Sequence, residues 1–506
     1  MTLGRDTASA SRPPAPDRLP SSRVAATAAP TRDPNGAPRL AALLIPLTPA
    51  IDMAEGLPAT HALRTAFVAV QLGQRLGFDR TALTDTYYAA LLKDLGATAA
   101  RSKALHTFGP GSRAVYRELH SADLSSLRGS LRVALPLLRS EGPWRQRLAS
   151  FIDITFGSAR GPVQIERLRG RTGASIALDM GFNRGTADAI LAQNERWDGR
   201  GRPEAQAGEG VALSGRVLNV AQALVSAWFE GGVALASAQL GRLAGNQLDP
   251  SLVSHAALLL DDPRFVEALG AHDIEQVALE AEPTGRGYAS ASRVDRLLSG
   301  FARFIDAKSP WTYRHSERVR ELAVGAGLQL DAPLQLGQAA LRRLKRAALL
   351  HDLARLATPT EVLDSHRTLS DTEIELVRSG RPLLRGSLKG VLDLADLAPV
   401  TETYSGFEPA TAMDATLTPL APEQREEVIA TLLSLAEKFE AMTAPRPHRE
   451  RRTFDEALGV LRQETERSGG LSRAALSGLE RFLATPTAAA VLAPRTFDPN
   501  AIVVVD

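Results

Sequence analysis

RHSERVRELAVGAGLQL at residues 314–330, followed by KRAALLHDLARLATP at 345–359, has an earlier counterpart in THALRTAFVAVQLGQRLGF at 60–78 and YYAALLKDLGATA at 87–99. In both pairs a His opens the first segment with an Arg three residues on, His315 with Arg318 and His61 with Arg64. In both, the second segment runs Ala-Ala-Leu-Leu into a dipeptide ending in Asp, His351-Asp352 and Lys93-Asp94. Apolar residues recur every three or four positions, as in Leu63, Phe67 and Val70, in Leu341, Leu344 and Ala348, and in Val428, Leu432, Leu435 and Phe439. That spacing lines one face of a helix. Aromatic residues make up only 5% of the chain and strand-like alternation is nearly absent, so the predicted fold class is all-α.

Outward from these segments the repeat continues. Each copy reaches an acidic-aromatic-Gly element, NERWDGRGRP at 194–203 and TETYSGFEP at 401–409. Each closes on a further apolar helix, VLNVAQALVSAWF at 217–229 and IATLLSLAEKFEAMT at 429–443. The pattern predicts two tandem helical bundles, 39–285 and 290–485, with a longer insert after Asp94 in the first and a hinge around Ala281–Gly287. Residues 1–38 are rich in Ala, Pro, Ser and Arg and are expected to be disordered, because they bury too little surface to offset ordering entropy. Residues 486–506 read as a Pro/Ala-rich tail whose Ile502–Val505 run is a candidate docking segment.

Composition narrows the chemistry. The 506 residues carry 59 basic and 57 acidic groups, which argues against a dedicated nucleic-acid coat. The absence of cysteine excludes disulfides, thiolate metal sites and a cysteine nucleophile. With no apolar run near the ~20 residues needed to span a bilayer and no secretory signal, a cytoplasmic protein with no membrane partner is expected.

In the second copy, His315 and His351-Asp352 fall on helices whose apolar faces should pack together. Two imidazoles and a carboxylate, with positions left for water, suit Mn, Fe, Ni or Zn and, less well, Mg. A metal so held lowers the pKa of water and neutralises charge on a phosphoryl oxygen. One further ligand is needed from the closing helix, and Glu437 is the available carboxylate.

KSPWTYRHSERV (308–319), AALLHDLARLATPTEVL (347–363) and LAEKFEAMTAPRPHR (435–449) together resemble the HD superfamily of metal-dependent phosphohydrolases, and the resemblance spans most of both copies. NERWDGRGRP and the following GRVLNVAQAL resemble the HD-GYP-like branch, some of whose bacterial members cleave cyclic di-GMP. The layout is similar to tandem HD regulators that often end in a helix-turn-helix; after Phe482 nothing reads as such a helix pair.

The resemblance implies His315, His351, Asp352 and Glu437 as metal ligands, Glu437 standing where the family has Asp. It implies Arg355 as the phosphate contact, where the family has Lys. Other family positions are lost: the middle His falls at Ser379, the paired His at Val400-Thr401, and the GYP signature is gone from TYSGFEP. In the first copy the HD histidine is Lys93, the paired His read Gln193-Asn194 and the closing Asp reads Gln222. That copy is expected to bind no catalytic metal, with His61 and Arg64 a satisfied polar pair.

Two functions follow. One is one-metal hydrolysis of a phosphoester, from a nucleotide or cyclic dinucleotide, in the second bundle, with Asp352 orienting or deprotonating water and Arg355 holding phosphate. The alternative is a catalytically inactive signalling or scaffold protein that binds a protein partner, a nucleotide or a second copy of itself. DNA is not an expected partner. A lone His-Asp dipeptide is weak evidence, as the decoy His272-Asp273 shows; it is assigned to a surface or linker helix. The basic runs Arg446–Arg452 and Arg342–Arg346 are expected to be solvated faces.

Overall fold

The computed structural model describes residues 32–34, 36–109, 115–116, 127–139, 144–156, 160–201, 204–283, 287–365, 367, 369–379, 420–446, 449–466 and 470–492. Among these the chain is helical throughout, with isolated bridges and no strand, as the periodicity predicts. Most of the amino-terminal segment expected to be disordered (1–31 and 35), the Val400-Thr401 and TYSGFEP positions and the Ile502–Val505 run lie outside the described residues, while Pro38 at the end of that segment is tied to the body of the chain, bridged to Arg32 and accepting from the Ala289 N–H.

The helices that place the functional residues are, in the first half, α1 (Thr48–Glu55), α2 (His61–Arg75), α3 (Arg80–Leu92), α4 (Ala97–Phe108), α5 (Arg160–Asp179) and α6 (Leu213–Leu243). In the second half they are α7 (Ala291–Asp306), α8 (His315–Leu334), α9 (Gly337–Leu350), α10 (Pro422–Thr443) and α11 (Gly470–Leu483). Helix α2 packs against α3 and α6, and α8 packs against α9 and α10, so the two sequence copies become two similar three-helix arrangements.

The repeat extends to how its first helix starts. Residues Thr60 and Arg314 both adopt the left-handed region, φ 79° and 56°, one residue before the opening His. Such a conformation costs a non-glycine residue roughly 1 kcal/mol and must be held by its surroundings. A buried carboxylate ten residues upstream does so in each copy: Asp52 accepts from the Ala62 N–H at 3.1 Å, and Asp306 from the Ser316 N–H at 2.9 Å. Burial pushes both carboxyls up to about 7.

For Asp52 this has a pH consequence. The folded chain keeps the proton up to about pH 7, whereas the unfolded chain releases it near the ordinary value of 3.8. Between those limits the folded state binds more protons, so Asp52 makes stability fall as pH rises. Asp52→Asn is therefore expected to flatten the stability profile between pH 4 and 7 by an amount on the order of a few kcal/mol. Denaturant unfolding of both chains across that range checks it; parallel profiles would rule it out.

The core does not divide at the expected hinge. One continuous buried cluster runs from Leu40 to Ala488 through both halves. The connection between them is strapped to the start of the chain: Leu40 N–H donates to Gly287 O, Ala289 N–H donates to Pro38 O, and Arg39 pairs with buried Glu282. Helix α1 packs against the 3₁₀ turn Leu353–Ala357 of the second half. The insert helices Leu127–Arg139 and Trp144–Phe156 form a small separate core with Phe108 and Ile165.

Two sequence expectations change. Residues 486–492 are not tail but a short helix that buries Ala488 and Val491 and packs on α8. Helix α6, with a mean hydropathy of 1.2 in its most apolar window, is long and apolar enough to cross a membrane by length and composition. It is broken at Gly231-Gly232, however, and Val217, Leu218, Ala221, Leu224 and Val225 before the break lie in the core.

Candidate metal centre

His315 is the first residue of α8 and is held there by the Asp306 contact described above. His351 and Asp352 follow the last turn of α9, whose Leu341, Leu344, Ala347 and Ala348 are buried against the core. Because α8 and α9 pack together, the two imidazoles meet: Nε2 to Nε2 is 3.3 Å and the ring centroids are 5.2 Å apart. Asp352 Oδ2 lies 3.1 Å from His315 Nε2 and 3.3 Å from His351 Nε2. All three side chains are buried. They form the one group of three or more metal-ligating side chains found among the described residues.

The outer nitrogens of both rings are engaged. His351 Nδ1 lies 2.8 Å from Ala348 O, so as an N–H it donates there and leaves Nε2 as the lone-pair side. His315 Nδ1 contacts Glu440 Oε2. Glu440 Oε1 accepts from Arg318 Nε at 2.9 Å, and Oε2 is 3.2 Å from Arg446 Nη2. On the other side Arg355 Nε lies 2.9 Å from Asp352 Oδ1.

These contacts set the charge states. Burial opposes the charged form of His315, but the Glu440 and Asp352 carboxylates overcome it and raise the group to about 9. Burial holds His351 below its ordinary value despite Asp352. Asp352 and Glu440 pay a burial penalty too, yet the cations around them, Arg355 with the imidazoles for one and His315 with Arg318 and Arg446 for the other, hold both well below the usual carboxylate range.

The donor set fits a divalent cation. Asp352 Oδ2 is buried and faces only the two imidazole Nε2 atoms, so the charge it meets in the metal-free chain is the proton on His315, whose place a divalent cation would take. Nitrogen and oxygen donors at this separation match the preferences of Mn, Fe, Zn or Ni better than those of Ca.

Of the sequence-predicted residues, the fold therefore gathers His315, His351 and Asp352. Glu437 lies one helical turn before Glu440 on α10. Its charge acts on His351 and Arg446, but its carboxylate is outside the trio whose atoms fall within 4.8 Å of one another. Arg355 reaches Asp352 directly, a contact the sequence reading did not foresee. Ser379 falls in the helix Asp371–Ser379.

Sequence reasoning missed Glu440, Arg318 and Arg446. The signal was present: Arg318 keeps a constant offset from the opening His in both copies, and Glu440 follows Glu437 by three residues, the spacing of one helix face. Arg446 had been assigned to a solvated run, but its side chain is 10% exposed and faces Glu440. In the other basic run, Arg343 pairs with Glu426, and Lys345 and Arg346 both pair with Asp295. The decoy His272-Asp273 is exposed, and Asp273 caps a short helix through the Gln276 N–H.

The corresponding place in the first half is filled by cations. Lys93 Nζ pairs with Asp94 Oδ2, and Arg169 Nη2 lies 2.5 Å from Asp94 Oδ1 and 3.1 Å from Glu55 Oε1. Arg169 reaches in because α5 approaches the start of α4 very closely at Gly96; a Cβ there would sit 1.9 Å from Arg169 O. Gln193 Nε2 donates to Lys93 O and Gln222 Nε2 to Gln193 O, so both side chains serve as backbone ties. His61 Nε2 faces Ser226 Oγ at 3.0 Å, and burial drives its pKa down to about 3. Arg64 donates to Leu269 O and Ala271 O and stacks over Trp228.

Comparison with known proteins bears on the same region. Residues 300–468 match the HD domain family. The chain is 28% identical over 426 residues to 3'3'-cGAMP-specific phosphodiesterase 3 of Vibrio cholerae, covering 84% of this chain and 90% of that protein. It is 24% identical over 228 residues (45% of this chain) to 3'3'-cGAMP-specific phosphodiesterase 1 of the same organism. It is 29% identical over 198 residues (37% of this chain) to the cyclic di-GMP phosphodiesterase response regulator RpfG of Xanthomonas campestris. These last two matches span about half of each relative, 51% and 49%. The crystal structure of a cyclic GMP-AMP-specific phosphodiesterase from V. cholerae superimposes with a TM-score of 0.58 at 25% identity, over 90% of this chain and 100% of that one.

Proposed function

We propose, from the premise that residues 300–468 belong to the HD-domain family of metal-dependent phosphohydrolases, that this chain hydrolyses a phosphodiester bond of a cyclic dinucleotide in its second half. The observation that carries the reading is the convergence of His315 Nε2, His351 Nε2 and Asp352 Oδ2 with both outer ring nitrogens already engaged. The relatives named for 3'3'-cGAMP make that dinucleotide the first substrate to test, with cyclic di-GMP second.

In this reading His315, His351 and Asp352 hold one divalent ion, and Glu437 is the fourth donor. Such an ion supplies Lewis acidity toward water and toward a phosphoryl oxygen. Asp352, ionised throughout the physiological range, is too weak a base to take a proton from water efficiently, so its part is to hold and orient. Arg355 is 27% exposed beside it and is assigned to a phosphate oxygen of the substrate. The first half, with Lys93 and Arg169 on Asp94, is assigned a non-catalytic scaffold role.

The direct test uses the full chain as purified. We expect bound Mn, Fe, Ni or Zn by elemental analysis, conversion of 3'3'-cGAMP to a linear dinucleotide when Mn²⁺ or Fe²⁺ is supplied, and loss of turnover with a chelator. No hydrolysis of either dinucleotide with any of these ions would sink the reading and leave a binding protein.

A further inference from the structure

A carboxylate that no sequence motif pointed to sits behind the first imidazole. Glu440 is buried at 1% exposure. Its Oε2 meets His315 Nδ1 and Arg446, while its Oε1 takes both Nε and Nη2 of Arg318. A carboxylate on Nδ1 keeps the proton on that nitrogen and turns the Nε2 lone pair to the opposite side of the ring. In this chain the opposite side is where His351 Nε2 and Asp352 Oδ2 lie. Two arginines hold the carboxylate itself, so it cannot rotate away from the ring without breaking charge-assisted hydrogen bonds.

The chain contains its own comparison. Aligning the closing helices so that Glu437 falls on Gln222 puts Val225 at the position of Glu440. The opening His and the Arg three residues on are kept in the first half, as His61 and Arg64. With no carboxylate between them they go separate ways: Arg64 turns to the carbonyls of Leu269 and Ala271, and His61 points Nε2 at Ser226. The carboxylate is present where the ligand set survives and absent where Lys93 and Arg169 have closed the site. If Glu440 served only to neutralise the repeated arginine, the first half would need it equally.

We propose that Glu440 is a positioning residue for metal capture, acting through His315 and clamped by Arg318 and Arg446. This rests on the reading of His315, His351 and Asp352 as ligands. Its test measures binding rather than turnover: Co²⁺ affinity of the full chain by equilibrium dialysis and visible absorption, with folding of each metal-free variant checked by circular dichroism and thermal melting. Glu440→Ala is expected to weaken Co²⁺ binding by about 10- to 100-fold. Because that variant takes from Arg318 and Arg446 the carboxylate they share, Glu440→Gln is measured beside it. The amide keeps an acceptor for Nδ1–H but loses the charge, and a loss of roughly threefold or more with a changed Co²⁺ absorption band is expected.

Folded Glu440→Ala and Glu440→Gln chains that both bind Co²⁺ within twofold of the wild type would overturn the proposal. Where Glu440→Ala does not fold, an unchanged affinity and spectrum in Glu440→Gln alone would do so. His315→Ala separates the two levels of inference. If it abolishes Co²⁺ binding while the Glu440 variants leave it intact, the ligand reading stands and only the positioning role fails. If the wild type itself binds no Co²⁺, both fall.

Discussion

Replacing His351 and Asp352 together by alanine is expected to abolish hydrolysis of 3'3'-cGAMP and to strip the protein of bound metal, with turnover falling by about a thousandfold or more. A factor of that size corresponds to about 4 kcal/mol of lost transition-state stabilisation, within the range expected when a Lewis acid is removed from phosphoester chemistry. The substitution removes two of the three converging donors, and His315 with Glu437 is too small a set to hold a divalent ion. Folding should be affected less. One of the two imidazoles that Asp352 Oδ2 meets leaves with it, Arg355 is 27% exposed and can turn to water, and the turn is also held by Lys308, whose Nζ donates to Leu356 O. Metal content, melting temperature and turnover measured on the same preparation check each part. A double variant that loses its metal but hydrolyses the dinucleotide at the wild-type rate would refute the assignment of the reaction to this centre.

The largest stability effect is expected in the other half. Arg169 is buried with contacts to Asp94 and Glu55, and those carboxylates, with Tyr116 and Glu166, hold its pKa well above the ordinary value against the cost of burial. Arg169→Met keeps the length of the side chain and removes its charge. Lys93 would then be the cation left on Asp94, and Glu55 would keep the Tyr116 hydroxyl at 3.3 Å and the more distant Arg101 at 3.9 Å. Breaking one side of a buried charge cluster costs about 3–5 kcal/mol, and denaturant unfolding of the full chain should show a loss of that order. The residues of the proposed centre are untouched, so turnover per folded molecule at low temperature should change far less than stability. An Arg169→Met chain as stable as the wild type would show that the cluster is slack and that Lys93 suffices for Asp94.

Much of this was legible in the linear sequence because helical periodicity is a local property. The Leu341-Leu344-Ala348 face and the matched His-x-x-Arg openings needed no three-dimensional information, and the all-α class and the His315, His351 and Asp352 group followed. What was hidden depended on contacts between distant residues. Glu437 and Glu440 are indistinguishable as carboxylates one turn apart; only the packing of α8 on α10 decides which one meets His315. Arg446 reads as part of a solvated basic run until the chain folds it back onto Glu440. Arg169 stands 75 residues from Asp94, inside the longer insert of the first copy, where the quoted repeat motifs do not reach. The continuity of the core was equally hidden, since repeated sequences suggest separable units and reveal nothing of the surface they share.

Helix α1 has its Glu55 end in the ion cluster of the first half, and the helix as a whole lies against the turn that follows Asp352. The first half is therefore part of the wall on which the half carrying His315, His351 and Asp352 rests. Shortening the chain to its matched 300–468 segment would bare that wall to water, and substitutions around the Lys93–Asp94–Arg169 cluster would be felt, through one eight-residue helix, by the turn that follows Asp352.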